Sequence, residues 1–180
     1  MGKRLAFVFV LALAACGGKG AAPAAGAAPT AAALGDPASE TIGGITLGST
    51  AAEVETAFGA PSQKGEVVEW AATGERMSEW TWAGKGLSLQ MTETPEGFVV
   101  GSINVEAPST ATTSRGVGIG TPFAEVDRIY GEFRGRGREE GEPEQWDPEA
   151  GITVGSVYGG TMFNFTDGKV SQIFVGAAAE

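Results

Sequence analysis

The groups in this sequence that could carry out chemistry are almost all carboxylates. The 180-residue chain holds 22 Asp and Glu residues, one Cys and no His. Without His it lacks the commonest general base and the commonest ligand of transition metals, and one Cys cannot build a disulfide framework or a Cys-cluster zinc site. Paired carboxylates such as Glu69 and Glu79 could in principle hydrolyse a glycosidic bond. Almost any acidic protein offers such pairs, so we predict no enzyme and keep a carboxylate-based hydrolase as the alternative.

A second group of carboxylates lies in residues 134–149, where Arg residues at alternate positions precede a run of acids. Glu142, Glu144, Asp147 and Glu149 supply oxygen ligands of the kind that Ca²⁺ takes, but their spacing fits no known calcium loop. The Arg residues could contact anionic lipid or another protein, although the adjacent acids nearly cancel their field. We interpret the stretch as a solvated loop and predict no metal site and no cofactor.

The first fifteen residues have the organisation of a signal peptide. Lys3 and Arg4 form a positively charged start, and residues 5–13 form an uninterrupted apolar stretch. At 1.5 Å per residue, this stretch is too short to cross a bilayer core of ~30 Å as a helix. A positive start followed by a short apolar segment is typical of a secretory signal. We therefore assign residues 1–15 to a signal peptide.

The single cysteine, Cys16, follows that segment directly. Residues 13–16 (LAAC) resemble the lipobox of bacterial lipoproteins. The resemblance implies cleavage before Cys16 and anchoring in a membrane by acyl chains on this residue. Because Gly17 stands where an Asp would favour the inner membrane, it also implies an outer-membrane lipoprotein that faces the periplasm. Residues 16–40 are rich in Ala, Gly and Pro, which predicts a tether after the lipidated Cys.

The remaining sequence contains an internal repeat. Residues 45–59 (ITLGSTAAEVETAFG) and 117–131 (VGIGTPFAEVDRIYG) align without a gap. Further along, residues 100–105 (VGSINV) match 170–175 (VSQIFV) in the same order. Two matches in the same order indicate a duplication.

Each repeat begins with a predicted helix. Ser49 and Thr121 are the expected N-caps, and Gly59 and Gly131 are expected to end the helices in left-handed conformations. Between them, apolar residues recur at the spacing of one helix face. After each helix the apolar period changes to two, which predicts antiparallel strands.

These patterns predict an α+β fold with two tandem repeats, residues 41–110 and residues 111–180. Each repeat would be a helix plus an antiparallel sheet, and the two would pack as one domain with the helices on one face of the sheet. Each half is marginal in size for an independent core, so we expect them to fold together.

A helix that follows a hydrophobic-x-Gly-[Ser/Thr] turn, ends in Gly and leads to a meander closing in V-x-x-I-x-V resembles the BamE type of outer-membrane lipoprotein, also called SmpA/OmlA. The matching residues are Leu47-Gly48-Ser49, Glu53-Val54, Gly59-Ala60-Pro61, Ile119-Gly120-Thr121, Glu125-Val126 and Gly131. Two such units also resemble the β-lactamase inhibitory protein, whose paired repeats present an aromatic sheet face to an enzyme. The resemblance implies a non-catalytic accessory of envelope assembly, or an inhibitor or sequestering lipoprotein.

Aromatic residues are the candidates for binding a partner. They are Trp70, Trp80, Trp82, Trp146 and Tyr158. Trp80 and Trp82 project to the same side of one predicted strand. They either pack as core beneath the helices or form an exposed surface for a protein partner or a glycan, since Trp and Tyr dominate binding hot spots.

Together these features predict a membrane-anchored lipoprotein that acts as a non-catalytic protein-binding or envelope-assembly module. Its partners would be the membrane, through Cys16, and a protein of unknown identity. Nucleic acid is not an expected partner, because the formal net charge is −10 and phosphate binding needs a basic face.

Overall fold

The computed structural model describes four parts of the chain: residue 36 and residues 40–71, 73–142 and 144–178. The predicted signal peptide, Cys16 and nearly all of the predicted tether lie outside the described residues. Within the described ranges, no helix has the length and apolar character needed to span a membrane.

The described chain forms one antiparallel sheet of nine strands and two short helices. The helices are α1 (Ala51–Phe58) and α2 (Phe123–Tyr130). The strands are β1 (Gln63–Lys64), β2 (Val68–Glu69), β3 (Arg76–Trp82), β4 (Leu87–Thr94), β5 (Gly97–Glu106), β6 (Trp146–Asp147), β7 (Gly151–Ser156), β8 (Gly159–Thr166) and β9 (Lys169–Gly176). Their spatial order is β1-β3-β4-β5-β9-β8-β7-β6, and β2 also pairs with β3.

This architecture shows that the predicted fold class is wrong. Instead of two tandem helix-plus-sheet repeats, a single large sheet runs through both halves of the sequence, and helix is a minor component. The reason is backbone pairing between β5 and β9, which runs from Ile103↔Val175 to Glu106↔Gln172. A separate sheet in each half would leave β5 and β9 as edges with unsatisfied backbone groups, and joining them removes both edges.

The core lies between the helices and one face of this sheet. One row of directly paired residues crosses that face from β3 to β8 and is buried throughout: Trp82, Leu87, Val105, Ile173 and Phe163. The ring of Phe58, at the end of α1, lies 6.3 Å from that of Trp82, and the ring of Tyr130, at the end of α2, lies 4.9 Å from that of Phe163. Both helices therefore cover the same face, and the opposite face, here called the open face, carries the alternate side chains.

The turns before the two helices make equivalent hydrogen bonds. Gly48 N donates to Val100 O at 2.8 Å, and Gly120 N donates to Val170 O at 2.7 Å. Both glycines have positive φ, 79° and 87°, a conformation that side chains with a Cβ adopt at a cost. Each turn thereby attaches the start of a helix to the last long strand of its own half.

The predicted cap of α1 is displaced by one residue. Thr50, rather than Ser49, is the N-cap: its Oγ1 accepts from Glu53 N at 3.3 Å, and the Glu53 carboxylate accepts from Thr50 N at 2.7 Å. The hydrogen bond from Thr50 N, together with one that the Thr50 hydroxyl donates to the same carboxylate at 2.9 Å, lowers the pKa of Glu53. The Ser49 hydroxyl instead accepts from Thr46 N at 3.1 Å and closes the preceding turn. Gly59 ends the helix with a φ of 75°, but its ψ of −175° is not that of a left-handed helix.

The predicted caps of α2 are also wrong. Pro122 occupies the N-cap position, and the Thr121 hydroxyl accepts from Gly118 N at 3.1 Å, as Ser49 does in its own turn. Gly131 is right-handed, with φ −56° and ψ −31°, and continues into a 3-10 turn over Gly131–Phe133. The competing local hydrogen bond of each hydroxyl explains why the cap prediction failed.

Candidate functional site

Three of the five predicted binding aromatics are core residues. Trp80, Trp82 and Trp146 are 4%, 3% and 8% exposed. The Trp82 indole donates to Gly59 O at 2.9 Å, and the Trp146 indole donates to Asp127 Oδ1 at 2.7 Å. Since these side chains lie on the helix-covered face, they stabilise the fold, and the interpretation as a partner surface is corrected for all three.

Trp70 and Tyr158 are exposed but lie far apart in the strand order. Trp70 directly follows β2 at one edge of the sheet and is 39% exposed. Tyr158, 54% exposed, lies in the turn between β7 and β8, near the other edge. The structure therefore does not bring the five predicted residues together into one site.

The edge beside Trp70 carries the other exposed large apolar side chains found in the described chain. Val67 is 38% and Val68 is 61% exposed, next to one another in the extended segment that contains β2. The change to an apolar period of two after the first helix predicts strands in this part of the chain, but the position of β2 at the sheet edge follows only from the strand order. Exposed apolar groups on an edge strand are typical of interaction sites.

The open face is mainly polar and is cross-linked by side-chain amides. The Gln172 amide donates to Asn104 Oδ1 at 2.7 Å and to Glu106 Oε1 at 3.0 Å, and the Asn164 amide donates to Gln172 Oε1 at 2.6 Å. This network joins β5, β9 and β8. A shallow groove of about 270 Å³ lies beside it, lined by Glu79, Ser88, Gln90, Ser102, Asn104 and Phe174 among others.

A buried polar cluster is the feature that sequence reasoning missed. The Glu40 carboxylate accepts hydrogen bonds from the hydroxyls of Tyr130 and Ser114, and its Oε2 lies 3.4 Å from Arg115 Nε. The side chains of Glu40 and Arg115 are 3% and 4% exposed, and the Thr113 hydroxyl lies 3.0 Å from the Tyr130 oxygen. Nothing in the Ala/Gly/Pro-rich composition of residues 16–40 distinguishes Glu40 from a solvated tether residue.

The electrostatics of this cluster favour a structural role. Burial, and then the charge and hydrogen bond of Glu40, raise the pKa of Tyr130 far above its ordinary value, so the phenol stays a neutral donor. The Arg115 guanidinium lies over the Phe133 ring, 4.9 Å from its centroid, and supplies the opposite charge. The hydrogen bond between Glu40 and Tyr130 attaches residue 40 to α2. Because the carboxylate and the guanidinium are buried, the cluster offers no surface to a substrate.

The two carboxylates considered for hydrolysis lie on opposite faces of the sheet. Glu79 is opposite Gln90 on the open face, whereas Glu69 is opposite Arg76, which shares a side with the core residues of β3. Directly paired residues project to the same face and neighbouring residues to opposite faces. The structure therefore does not bring Glu69 and Glu79 together as a catalytic pair.

The 134–149 segment binds back to the sheet through Glu142. Its carboxylate accepts from Ser156 Oγ at 2.7 Å, Glu139 N at 2.8 Å and Val157 N at 3.1 Å. Burial acts to raise the pKa of Glu142, but these hydrogen bonds and the Arg138 charge outweigh it, so the pKa is lowered. No three metal-ligating side chains converge among the residues that the structure describes.

No protein-family model matches the chain, and neither a curated protein nor a solved structure matches it. The likeness to BamE-type lipoproteins and to the β-lactamase inhibitory protein therefore stays a prediction from the residues quoted for it.

Proposed function

We propose that the chain is a lipoprotein of the cell envelope that binds another protein without catalysing a reaction. In this proposal, acyl chains on Cys16 hold it in the outer membrane, residues 16–40 form the tether, and the folded part faces the periplasm. The lipobox-like residues 13–16 support the anchor, and the BamE-like turns support a role in envelope assembly.

The observation that carries the binding role is the exposed apolar edge at β2. Val67, Val68 and Trp70 remain accessible and lie together at one edge, whereas the buried apolar side chains of the sheet lie on its covered face. Grouped apolar exposure at one edge is a feature of proteins that meet a partner there. Burial of Trp80 and Trp82 removes the aromatic sheet face on which the inhibitor alternative depended.

The anchor is tested with Cys16→Ala in the full-length chain, expressed in its native host. We expect the wild-type protein to remain with the membrane fraction after a high-salt wash and the variant to be released. Retention of the variant after that wash would mean that acylation of Cys16 is not the anchor.

The binding role is tested by photo-crosslinking in intact cells. A photoreactive amino acid at Val68 should give a discrete adduct with another protein, whereas the same residue at Glu149, exposed near the opposite edge of the sheet, serves as the matched control. Positions on the open face, such as Ser102, extend the scan. Absence of adducts at every scanned position would contradict a protein-binding module.

A further inference from the structure

The backbone of β2 leaves hydrogen-bonding groups open at the sheet edge. Trp70 N donates to Glu75 O at 2.7 Å, and the register places Val68 opposite Met77 and Glu69 opposite Arg76. In an antiparallel ladder, pairs of residues that exchange backbone hydrogen bonds alternate with pairs that do not. Trp70 is hydrogen-bonded to Glu75 across the ladder, so the neighbouring residue, Glu69, belongs to a pair without hydrogen bonds. Its N–H and C=O therefore point away from β3. An added strand could pair with these groups.

Apolar side chains adjoin that open backbone on the open face. Val68 is opposite Met77, Met77 is opposite Thr92, and Thr92 is opposite Val99, which makes one continuous row across four strands. Trp70, two residues after Val68, projects to the same side. A strand paired with β2 would therefore place alternate side chains against Val68 and Trp70.

The edge is also negatively charged. Three exposed carboxylates flank the open backbone: Glu66, Glu69 and Glu75. The cations next to them in the chain are already engaged, because Arg76 pairs with Glu93 at 2.5 Å and Lys64 pairs with Glu55 at 2.9 Å. A second copy of this chain would bring like charges together in a β2–β2 pair, which disfavours self-association at this edge.

We propose that the β2 edge binds an extended, cationic segment of a partner protein by strand addition. Apolar side chains of that segment would contact Val68 and Trp70 on one face, its alternate Lys or Arg residues would meet the carboxylate of Glu69 on the other, and the carboxylates of Glu66 and Glu75 add negative charge at the ends of the edge. The inference rests on the proposed binding function and specifies the chemistry of the partner. Because the free edge is only a few residues long, side-chain contacts must supply much of the affinity.

The test uses the full-length protein in detergent and a fluorescein-labelled peptide, KVKVKVK, with EVEVEVE as its charge-reversed control. We expect fluorescence anisotropy to show about tenfold tighter binding of the cationic peptide, weakening as salt is added. A KVKVKVK peptide N-methylated at every backbone amide should lose binding, because it keeps the charge but has no N–H on either edge with which to extend the ladder. Equal binding of the methylated peptide would overturn strand addition.

The matched variants are Glu69→Lys at the edge and Glu149→Lys in the turn between β6 and β7. Glu69→Lys should weaken the cationic peptide about threefold to tenfold, whereas Glu149→Lys should stay within about twofold. Equal loss in both variants would show attraction to the net charge alone. If Glu69→Lys fails to fold by circular dichroism, the methylated-peptide comparison still decides.

The outcomes separate this inference from the proposed function. If the peptide does not bind while crosslinks form elsewhere on the open face, the binding module remains and the edge inference is wrong. If Val68 crosslinks to a second copy of the chain, the edge is a dimer interface and the cationic partner is refuted.

Discussion

Replacing Glu40 by Ala should destabilise the whole fold. The sequence places residue 40 at the end of the predicted tether, where a substitution would have little effect, but its side chain is buried. The substitution removes the acceptor of the Tyr130 and Ser114 hydroxyls and leaves the buried Arg115 guanidinium without the carboxylate 3.4 Å away. Removing one partner of a buried ion pair costs about 3–5 kcal/mol. In a chain of this size, that loss corresponds to a melting temperature lower by about 6–20 °C.

The measurement is urea unfolding followed by tryptophan fluorescence, with Glu96→Ala, in the exposed β4–β5 turn, as the control. Tyr130→Phe should cost about 1.5–3 kcal/mol, since it removes one hydrogen bond to a charged group. The double variant should lose less than the sum of the single losses, because both changes break the same contact. A Glu40→Ala protein within about 1 kcal/mol of wild type would refute the buried ion pair.

Three further predictions follow from burial, titration and strand pairing. Trp82→Ala should lower the free energy of unfolding by about 3–5 kcal/mol, measured by urea unfolding, because the indole is buried and bonded to Gly59 O; a change below about 1 kcal/mol would contradict its core position. The pKa of Glu142 is lowered in the folded protein, so its ionised carboxylate contributes to the free energy of unfolding above the ordinary Glu pKa of about 4.3. That contribution is lost as the pH falls through the folded pKa. The free energy of unfolding of Glu142→Gln should therefore change less between pH 7 and pH 3 than that of wild type. Residues 41–110 and 111–180, expressed separately, should show no cooperative thermal transition in circular dichroism, because each fragment loses the β5–β9 pairing; a sharp transition in either one would show that it folds independently.

The long strands were predictable from the sequence because apolar residues alternate through them. The period of two in residues 76–82 and 169–175 places β3 and β9 nearly where the structure has them. Periodicity says which face is apolar, but it does not say which strands are neighbours. The pairing of β5 with β9 therefore escaped prediction, and with it the single sheet.

The site residues were less predictable because burial depends on tertiary position. A Trp in an alternating strand is compatible with core or surface, and only the tertiary packing decides between them: Trp82 lies against Phe58 of α1, and Trp80 lies against Phe98 of β5. For Glu40, in contrast, the local sequence gives no signal of burial. Its ion pair with Arg115 joins residues distant in sequence, and no local pattern signals such a contact. The hydroxyls of Ser49 and Thr121 had two local acceptor roles available, and the turn role prevails in both.

The attachment of Glu40 changes how the first half of the chain is held. Residues 40–106 are attached to the second half of the chain at both of their ends. Glu40 and the Ile42–Thr113 bridge attach the first end, and the pairing of β5 with β9 attaches the last. A cut in the connection at Pro108, which is exposed, would break a covalent bond but neither of these ties. The two fragments would stay associated as a non-covalent complex. They would dissociate only after the contacts at both ends of residues 40–106 had broken.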